Sequence, residues 1–304
     1  MGNIKNVLIT GASGFLGSHL LALLIKKGYS PVVFLRASSN IWRIEHLQSY
    51  YKTFISNGNN KEDIQALFAQ HEIQAILHIA TEYGRQTSLS NTIESNVIFP
   101  LRLIEAGLEH QLKLFINTDT FFGKKQFNLT YLNDYTSSKR ILENLLQGLS
   151  SKVNIVNLRI EHVYGENDSE QKFVTSVFKQ AIQNKNEILL TEGLQKRDFV
   201  YVNDVAEAYI RVLEQANLIC GYNEFEVGTG QSITVKDFVI GIAEATGTKS
   251  ILNFGAIPVK DGEIIDSSAN IIPLKKIGWI PQYDVKKALE KITLIEKKRF
   301  TNEN

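Results

Sequence analysis

Tyr135 and Lys139, in the run Tyr135-Thr136-Ser137-Ser138-Lys139, are the residues whose types and spacing most directly suggest chemistry. Four positions apart, they share one face at the start of a predicted helix. An ammonium beside a phenol favours the tyrosinate and moves its pKa from ~10 toward neutrality, so the side chain can exchange a proton with a substrate oxygen. Spacing alone does not single this pair out. Tyr283 and Lys287 repeat it near the C-terminus, where the pattern reads as an ordinary solvated helix. What separates Tyr135 is the segment before it. A predicted strand over Leu112–Asn117 and the loop Thr118-Asp119-Thr120-Phe121-Phe122-Gly123 bring a hydroxyl and a carboxylate to a sheet edge.

The charge of a bound nicotinamide would help to lower that phenol's pKa, and the first residues carry a motif that could hold one. Thr10-Gly11-Ala12-Ser13-Gly14-Phe15-Leu16-Gly17 follows the apolar run Val7-Leu8-Ile9 and opens a helical stretch. Glycine at such a strand-to-helix turn lets the chain bend sharply, lets a pyrophosphate approach the backbone and lets the helix pack on the strand. The phosphate then meets free N–H groups and the dipole at the helix N-terminus. Gly11, Ser13, Gly14, Phe15, Leu16 and Gly17 are therefore candidate dinucleotide contacts. The spacing Gly-x-x-Gly-x-x-Gly differs from the commoner Gly-x-Gly-x-x-Gly, and a bare tight turn is the alternative reading. At the end of the second predicted strand stands Arg36, followed by Ser38 and Ser39 and by no nearby carboxylate. Arginine there accommodates a 2′-phosphate, whereas an acidic residue would bind the ribose 2′-OH, so NADP(H) is favoured and NAD(H) is left open. Arg43 is a further candidate for the same phosphate, and an exposed arginine with no ligand is the bland alternative for Arg36.

These residues must be positioned by a large fold. The chain has 304 residues, 43% of them hydrophobic, enough for about two units with a sizeable core. A formal net charge of +1, with no basic stretch interleaved with aromatics, points away from nucleic acid and anionic membranes. One cysteine, Cys220, leaves no intrachain disulfide or multi-cysteine metal site and reads as a small buried hydrophobe. No metal is expected, since His78 and the other histidines lack ligand spacing and read as satisfied core or surface residues. No apolar run reaches the ~18 residues of a membrane span, so the cytoplasm is the expected location.

Strands are predicted at Val7–Thr10, Pro31–Leu35, near Tyr51–Ile55, at Ala75–Ile79, Leu112–Asn117 and Val153–Leu158. Helices are predicted at about Gly14–Lys27, Lys61–Gln70, Ile93–His110 and Tyr135–Leu149. Such alternation means an α/β fold, a Rossmann-type doubly wound parallel sheet covered on both faces. From Glu161 the regularity loosens into helical stretches at Phe173–Gln183, Asn203–Gln215 and Thr234–Thr246 between short strands and Gly or Pro turns. We read residues 1–160 as the dinucleotide-binding domain and 161–304 mainly as a smaller α/β substrate-binding domain, with segments free to cross between them.

With these motifs in order, the chain resembles an extended short-chain dehydrogenase/reductase of the nucleotide-sugar epimerase/dehydratase group. The resemblance covers nearly the whole length. It rests on the glycine motif, His78-Ile79-Ala80, Asn96, Thr118 to Gly123, Tyr135-x-x-x-Lys139, Leu158-Arg159 through Val163-Tyr164-Gly165, Arg197-Asp198-Phe199 through Val205, and Ile277-Gly278-Trp279-Ile280-Pro281. It implies that Tyr135 is the general acid or base and that Lys139 is its pKa partner and a ribose ligand. It implies Thr118, five residues before Gly123, as the hydroxyl on the reacting oxygen, and Ala80 as a cofactor contact. Arg197 and Lys260 match positions that clamp a substrate diphosphate, although arginine is commoner where Lys260 stands and lysine makes a looser clamp. His162 replaces a common asparagine, and Asp119 is either a second acid at the substrate or a cap on its own loop. Glu82 and Arg85, just past the fourth strand, are candidate sugar contacts by position alone, and a solvated loop explains them equally.

The same loop bears on the reaction. Sugar 4,6-dehydratases of this group carry Thr-Asp-Glu there, whereas this chain has Thr118-Asp119-Thr120, which disfavours elimination. Arg36 favours a reductase that exchanges NADPH at each turnover over an epimerase that retains NAD. Residues 117–122, 158–165 and 193–199 resemble the CDP-abequose synthase branch, whose members reduce the 4-ketone of a nucleotide-linked 6-deoxy or 3,6-dideoxy sugar for surface polysaccharide. The expected partner is a nucleotide-diphosphate sugar. An NAD-dependent epimerase is the alternative, and a catalytically silent cofactor-binding protein is a third reading. The resemblance also implies a homodimer, with the helices at Ile93–His110 and Tyr135–Leu149 pairing into a four-helix bundle.

Overall fold

A computed structural model describes residues 4–56, 60–84, 87–127, 132–259 and 261–301. Arg85 and Lys260, two of the expected substrate contacts, lie outside the described residues. The first half alternates strand and helix: β1 (Asn6–Thr10), α1 (Phe15–Lys26), β2 (Ser30–Arg36), β3 (Lys52–Ser56), α2 (Lys61–Gln70) and β4 (Ala75–His78). It continues with α3 (Leu89–Ile93), α4 (Phe99–Glu109), β5 (Leu114–Thr120), α5 (Asn133–Leu149) and β6 (Asn154–Ile160). The short apolar runs become strands because both faces of a parallel sheet are covered. Val7, Leu8, Ile9, Ile76, Leu77, Phe115 and Ile116 are all fully buried.

The helix expected at Ile93–His110 starts earlier and is not regular. Ser88 caps α3 by accepting the Asn91 N–H, and a π turn over Glu94–Ile98 precedes α4. Pro100 follows the π turn with no break in helical backbone, and just before it the Phe99 N–H donates five residues back to the Glu94 carbonyl.

The second half supplies β7 (His162–Tyr164), α6 (Phe173–Ile182), β8 (Glu187–Leu190), β9 (Lys196–Arg197), β10 (Phe199–Tyr201) and α7 (Val202–Glu214). After these come β11 (Tyr222–Val227), β12 (Ile233–Thr234), α8 (Val235–Thr246), β13 (Ile251–Phe254), α9 (Ile272–Lys276) and α10 (Val285–Thr301). The main sheet has seven parallel strands in the order β11-β6-β5-β4-β1-β2-β3. Its outer strand β11 comes from beyond residue 160, and α7 packs against α1, so the chain crosses back after the expected boundary. One face of the sheet packs on α1 and α7 through Leu20, Leu24, Val205 and Tyr209. The other packs on α2, α4 and α5 through Ile64, Leu67, Leu103 and Leu142. Among the described residues the remaining strands form three two-stranded ribbons, β7 with β10, β9 with β12 and β8 with β13.

Two expectations are corrected here. Cys220 is exposed rather than buried, because it lies in the turn before Gly221, whose φ of +66° reverses the chain into the edge strand β11. Tyr283 is not simply solvated. Its ring packs 4.6 Å from that of Tyr201, and Lys287 lies over its other side. No helix among the described residues is long and apolar enough to cross a membrane.

Candidate active site

A cleft of about 1240 Å³ opens at the carboxyl ends of the sheet strands, where open α/β folds bind ligands. One end is the glycine turn. Gly11 has φ +70°, and a Cβ there would lie 2.6 Å from the Ala80 nitrogen; a Cβ on Gly17 would lie 2.1 Å from the Gly11 carbonyl. Gly14 is the N-cap of α1 and provides no side-chain cap, and no acidic residue sits in the first turn. The opening N–H groups of α1 therefore remain for an anion. Ser13, Phe15 and Leu16 line the cleft, as does Ala80, whose N–H donates to Thr10 Oγ1 over 3.3 Å. This cradle, which any side chain would fill, fits the pyrophosphate of a dinucleotide.

Arg36 ends β2 exposed on the cleft wall, and its backbone N–H donates to Ser39 Oγ at 2.9 Å. Of the two expected donors, Ser39 lines the cleft and Ser38 is not part of that lining. The turn made by that hydrogen bond selects the later serine. Arg43 spans from the same end, donating to the carbonyls of Asn167 (2.8 Å) and Ser13 (3.4 Å).

Midway along the cleft, α5 delivers Tyr135 and Lys139, both buried. Lys139 Nζ donates to the Thr118 carbonyl at 2.8 Å and to Thr81 Oγ1 at 3.1 Å, and it lies 6.0 Å from the Tyr135 ring centre. Burial lowers the Lys139 ammonium to about 8, opposed by the carboxylate of Asp119. The lowering expected for Tyr135 drew also on the charge of a bound nicotinamide, and the protein's own groups act the other way. Burial, with Tyr83 packed 5.2 Å away ring to ring, pushes its phenol well above the ordinary value, while a hydrogen bond from Thr120 acts in the other direction. Without a ligand, Tyr135 is therefore a protonated acid.

Thr118 lies on the cleft wall but its hydroxyl is committed elsewhere. It donates to the His78 carbonyl at 2.7 Å and pairs with the buried Tyr209 hydroxyl at 2.6 Å. These two partners fix the Thr118 side chain on the cleft wall where it was expected. Asp119 faces the opposite side of the sheet. Its Oδ1 accepts the Thr120 N–H and its Oδ2 accepts from Arg159 and Asn157. It caps its own loop and pairs with a buried cation, and it also contributes to the cleft lining. Arg159 also meets Glu143 and Glu224, so the three clustered carboxylates surround a guanidinium.

At the far end of the cleft, His162 packs edge-on against Phe199, with ring centres 5.0 Å apart. Burial, then Arg197 and Lys172, lower its imidazole to about 4, so it is neutral near pH 7. Arg197 is buried, donating to the Ile264 carbonyl (2.6 Å) and to Glu263 (3.0 Å). Glu82 lines the cleft, yet its carboxylate accepts the Gly84 N–H, and Asn96 holds its backbone on both sides. His78 is a core residue: Nδ1 pairs with Thr10 Oγ1, while Nε2 has no partner among the described residues. Burial and Lys139 lower it to about 3.

Sequence reasoning missed Tyr83, Lys172, Tyr209 and Glu263. Each acts through a partner far away in sequence, so no local spacing marks it. It also missed Lys124, buried between Glu161 and Glu226, which ties the loop after Gly123 to β11.

The family model for the NAD dependent epimerase/dehydratase family matches residues 7–228. The chain is 36% identical over 293 residues to the CDP-abequose synthase of Salmonella typhimurium, covering 94% of this chain and 96% of that protein. It is 24% identical to the dTDP-4-dehydro-6-deoxyglucose reductase of Escherichia coli, over 95% of this chain and 96% of that one. Among solved structures, the UDP-glucose 4-epimerase of Thermotoga maritima with UDP-glucose superposes with a TM-score of 0.82 at 24% identity. That match covers 97% of this chain and 99% of the other, and shows a shared fold.

Proposed function

The chain belongs to the NAD dependent epimerase/dehydratase family, and from that premise we propose that it is an NADPH-dependent ketoreductase. Its substrate would be a nucleotide-linked 6-deoxy or 3,6-dideoxy hexose with a ketone at C4. The observation that carries this reading is the buried pair Tyr135 and Lys139, with Tyr135 on the wall of the cleft that the glycine cradle opens. The likeness to a CDP-abequose synthase over nearly the whole chain supports it.

A bound nicotinamide supplies the hydride. Tyr135 then gives its proton to the carbonyl oxygen as that oxygen gains charge, and Lys139, held by the Thr118 carbonyl and Thr81, stabilises the tyrosinate left behind. Lys139 does this only while charged. Turnover is expected to fall as pH rises through about 8, the pH at which Lys139 loses its proton. A pH–rate profile whose activity persists unchanged two units above that value would contradict the role.

For the cofactor, Arg36 supports NADPH over NADH. A charge-assisted contact to a 2′-phosphate contributes about 1.5–3 kcal/mol, so Arg36→Ala should weaken NADPH about 10- to 100-fold and leave NADH almost unchanged. Equal loss for both cofactors, measured by titration, would remove the argument for a phosphate at Arg36. A homodimer is part of the same reading, supported by Ile141 and Leu145, one turn apart and exposed on α5. The reductase also differs from an epimerase in cofactor retention. Protein purified without added cofactor should carry no stoichiometric NAD, and tightly held NAD that returns its hydride would point to epimerisation instead.

A further inference from the structure

We propose that Glu296, on the C-terminal helix α10, is a positioning residue for the dinucleotide: through residues 166–172 it fixes the wall that faces the glycine turn and so sets how fast the cofactor leaves. This rests on the reading of that turn as a dinucleotide cradle. Glu296 is a buried carboxylate that the proton transfer does not use, and burying a charge is costly unless it is paired. Its Oε1 accepts the Asn167 N–H at 2.6 Å, and Arg299, one turn on, reaches its two oxygens at 3.5 and 3.4 Å. Asn167 lies in the connection between β7 and α6 with φ +62°, a left-handed conformation that Asn adopts more readily than most residues. Its neighbours are tied as well. His19 Nε2 pairs with the Glu166 carbonyl at 3.2 Å, and the Tyr201 hydroxyl donates to the Glu166 carboxylate at 2.8 Å. Arg299 donates to the Asp168 carbonyl at 3.3 Å and to Glu170 at 3.1 Å.

This segment is held against the cofactor end of the cleft. The Arg43 guanidinium donates to the Asn167 carbonyl at 2.8 Å and to the Ser13 carbonyl at 3.4 Å, bridging the segment to the glycine turn. Lys172, paired with Asp168 at 3.2 Å, places its ammonium 5.3 Å from the ring centre of Phe15, the first residue of α1. Asp168 and Lys172 line the cleft with Ser13 and Phe15. Glu296 therefore reaches the cradle through one residue: it holds the Asn167 N–H, and the Asn167 carbonyl holds the arginine that rests on Ser13. Without that anchor the wall must be ordered each time a dinucleotide binds, which costs conformational entropy. The cost falls on binding and release rather than on proton transfer at Tyr135. It falls alike on NADPH and NADH, because the segment meets the turn that faces their shared pyrophosphate.

The test measures the release of NADPH and of NADH from Glu296→Ala, Glu296→Gln and Arg299→Ala, by the fluorescence of the reduced nicotinamide on displacement with excess oxidised cofactor, beside Tm. Glu296→Ala should release both dinucleotides about 10-fold faster, equivalent to ~1.4 kcal/mol of lost binding. Glu296→Gln keeps an acceptor for the Asn167 N–H and should stay within about 2-fold of the parent. Arg299→Ala, at a half-buried position, should also speed the release of both, and it carries the test if Glu296→Ala does not fold. A lowered Tm with release unchanged would make Glu296 merely structural and overturn the proposal. Faster release of NADPH alone would overturn it too, since that is the signature of a 2′-phosphate contact. If the wild-type protein binds neither dinucleotide, the cradle reading fails and the proposal falls with it, an outcome distinct from tight binding that the variants leave unaltered.

Discussion

Tyr135→Phe is expected to lower kcat by about 10³-fold while dinucleotide affinity and Tm stay close to those of the parent. General acid catalysis contributes about 10²–10⁴-fold, and the phenol is the acid best placed in the cleft to supply it. The substitution removes one oxygen and keeps the ring. Packing against Tyr83, with ring centres 5.2 Å apart, therefore survives, and so does the burial of the side chain. The glycine turn and Arg36 are untouched, so the cofactor should bind as before. Loss of kcat together with loss of cofactor binding would mean a structural role for Tyr135. Full activity in the variant would remove it from the chemistry.

Gly11→Ala is expected to reduce dinucleotide affinity by more than 10²-fold and to lower stability. Two independent costs meet at this position. The residue has φ +70°, which costs an L side chain roughly 1–2 kcal/mol. The added Cβ would also lie 2.6 Å from the Ala80 nitrogen and 2.9 Å from its Cα, both backbone atoms at the end of β4 that have no rotamer to change. The turn must open, and with it the N–H groups that would face the pyrophosphate. Gly28→Ala separates the two costs, because Gly28 has φ +80° and nothing within 4 Å of an added Cβ. That variant should lose about 1 kcal/mol of stability from backbone strain and none of its cofactor affinity. Calorimetric titration of both variants with NADPH, beside thermal unfolding, checks the pair. Equal affinities would show that the close approach at Gly11 is not what forms the cradle.

What could be read in the sequence was local. The strand–glycine–helix unit at Val7 to Ile25 and the Tyr135-x-x-x-Lys139 helix announce themselves because their periodicity and spacing lie within a few turns of chain. The parallel sheet followed from the alternation of such units, apart from β11, whose residues are too polar for a central strand and suit the sheet edge it occupies. The rest depended on partners 40 or more residues apart. Nothing near Asp119 announces Arg159, and nothing near Thr118 announces Tyr209, 91 residues on. Family spacing put Thr118 at the cleft, where it lies, but the company of its hydroxyl comes from a distant helix. Arg36 and Ser38 show the same limit on a shorter scale. The strand end carries the arginine to the cleft wall, and the turn beyond it brings only Ser39, of the two expected donors, into the lining.

The central claim is tested most directly by following the near-ultraviolet absorbance of NADPH while the protein meets 4-keto-deoxysugars on CDP, dTDP, UDP and GDP, each generated in place by a dehydratase. One NADPH per sugar should be lost, on one carrier, with the product reduced at C4. No loss of NADPH on any carrier, with a sugar epimer formed by a retained cofactor, would contradict it.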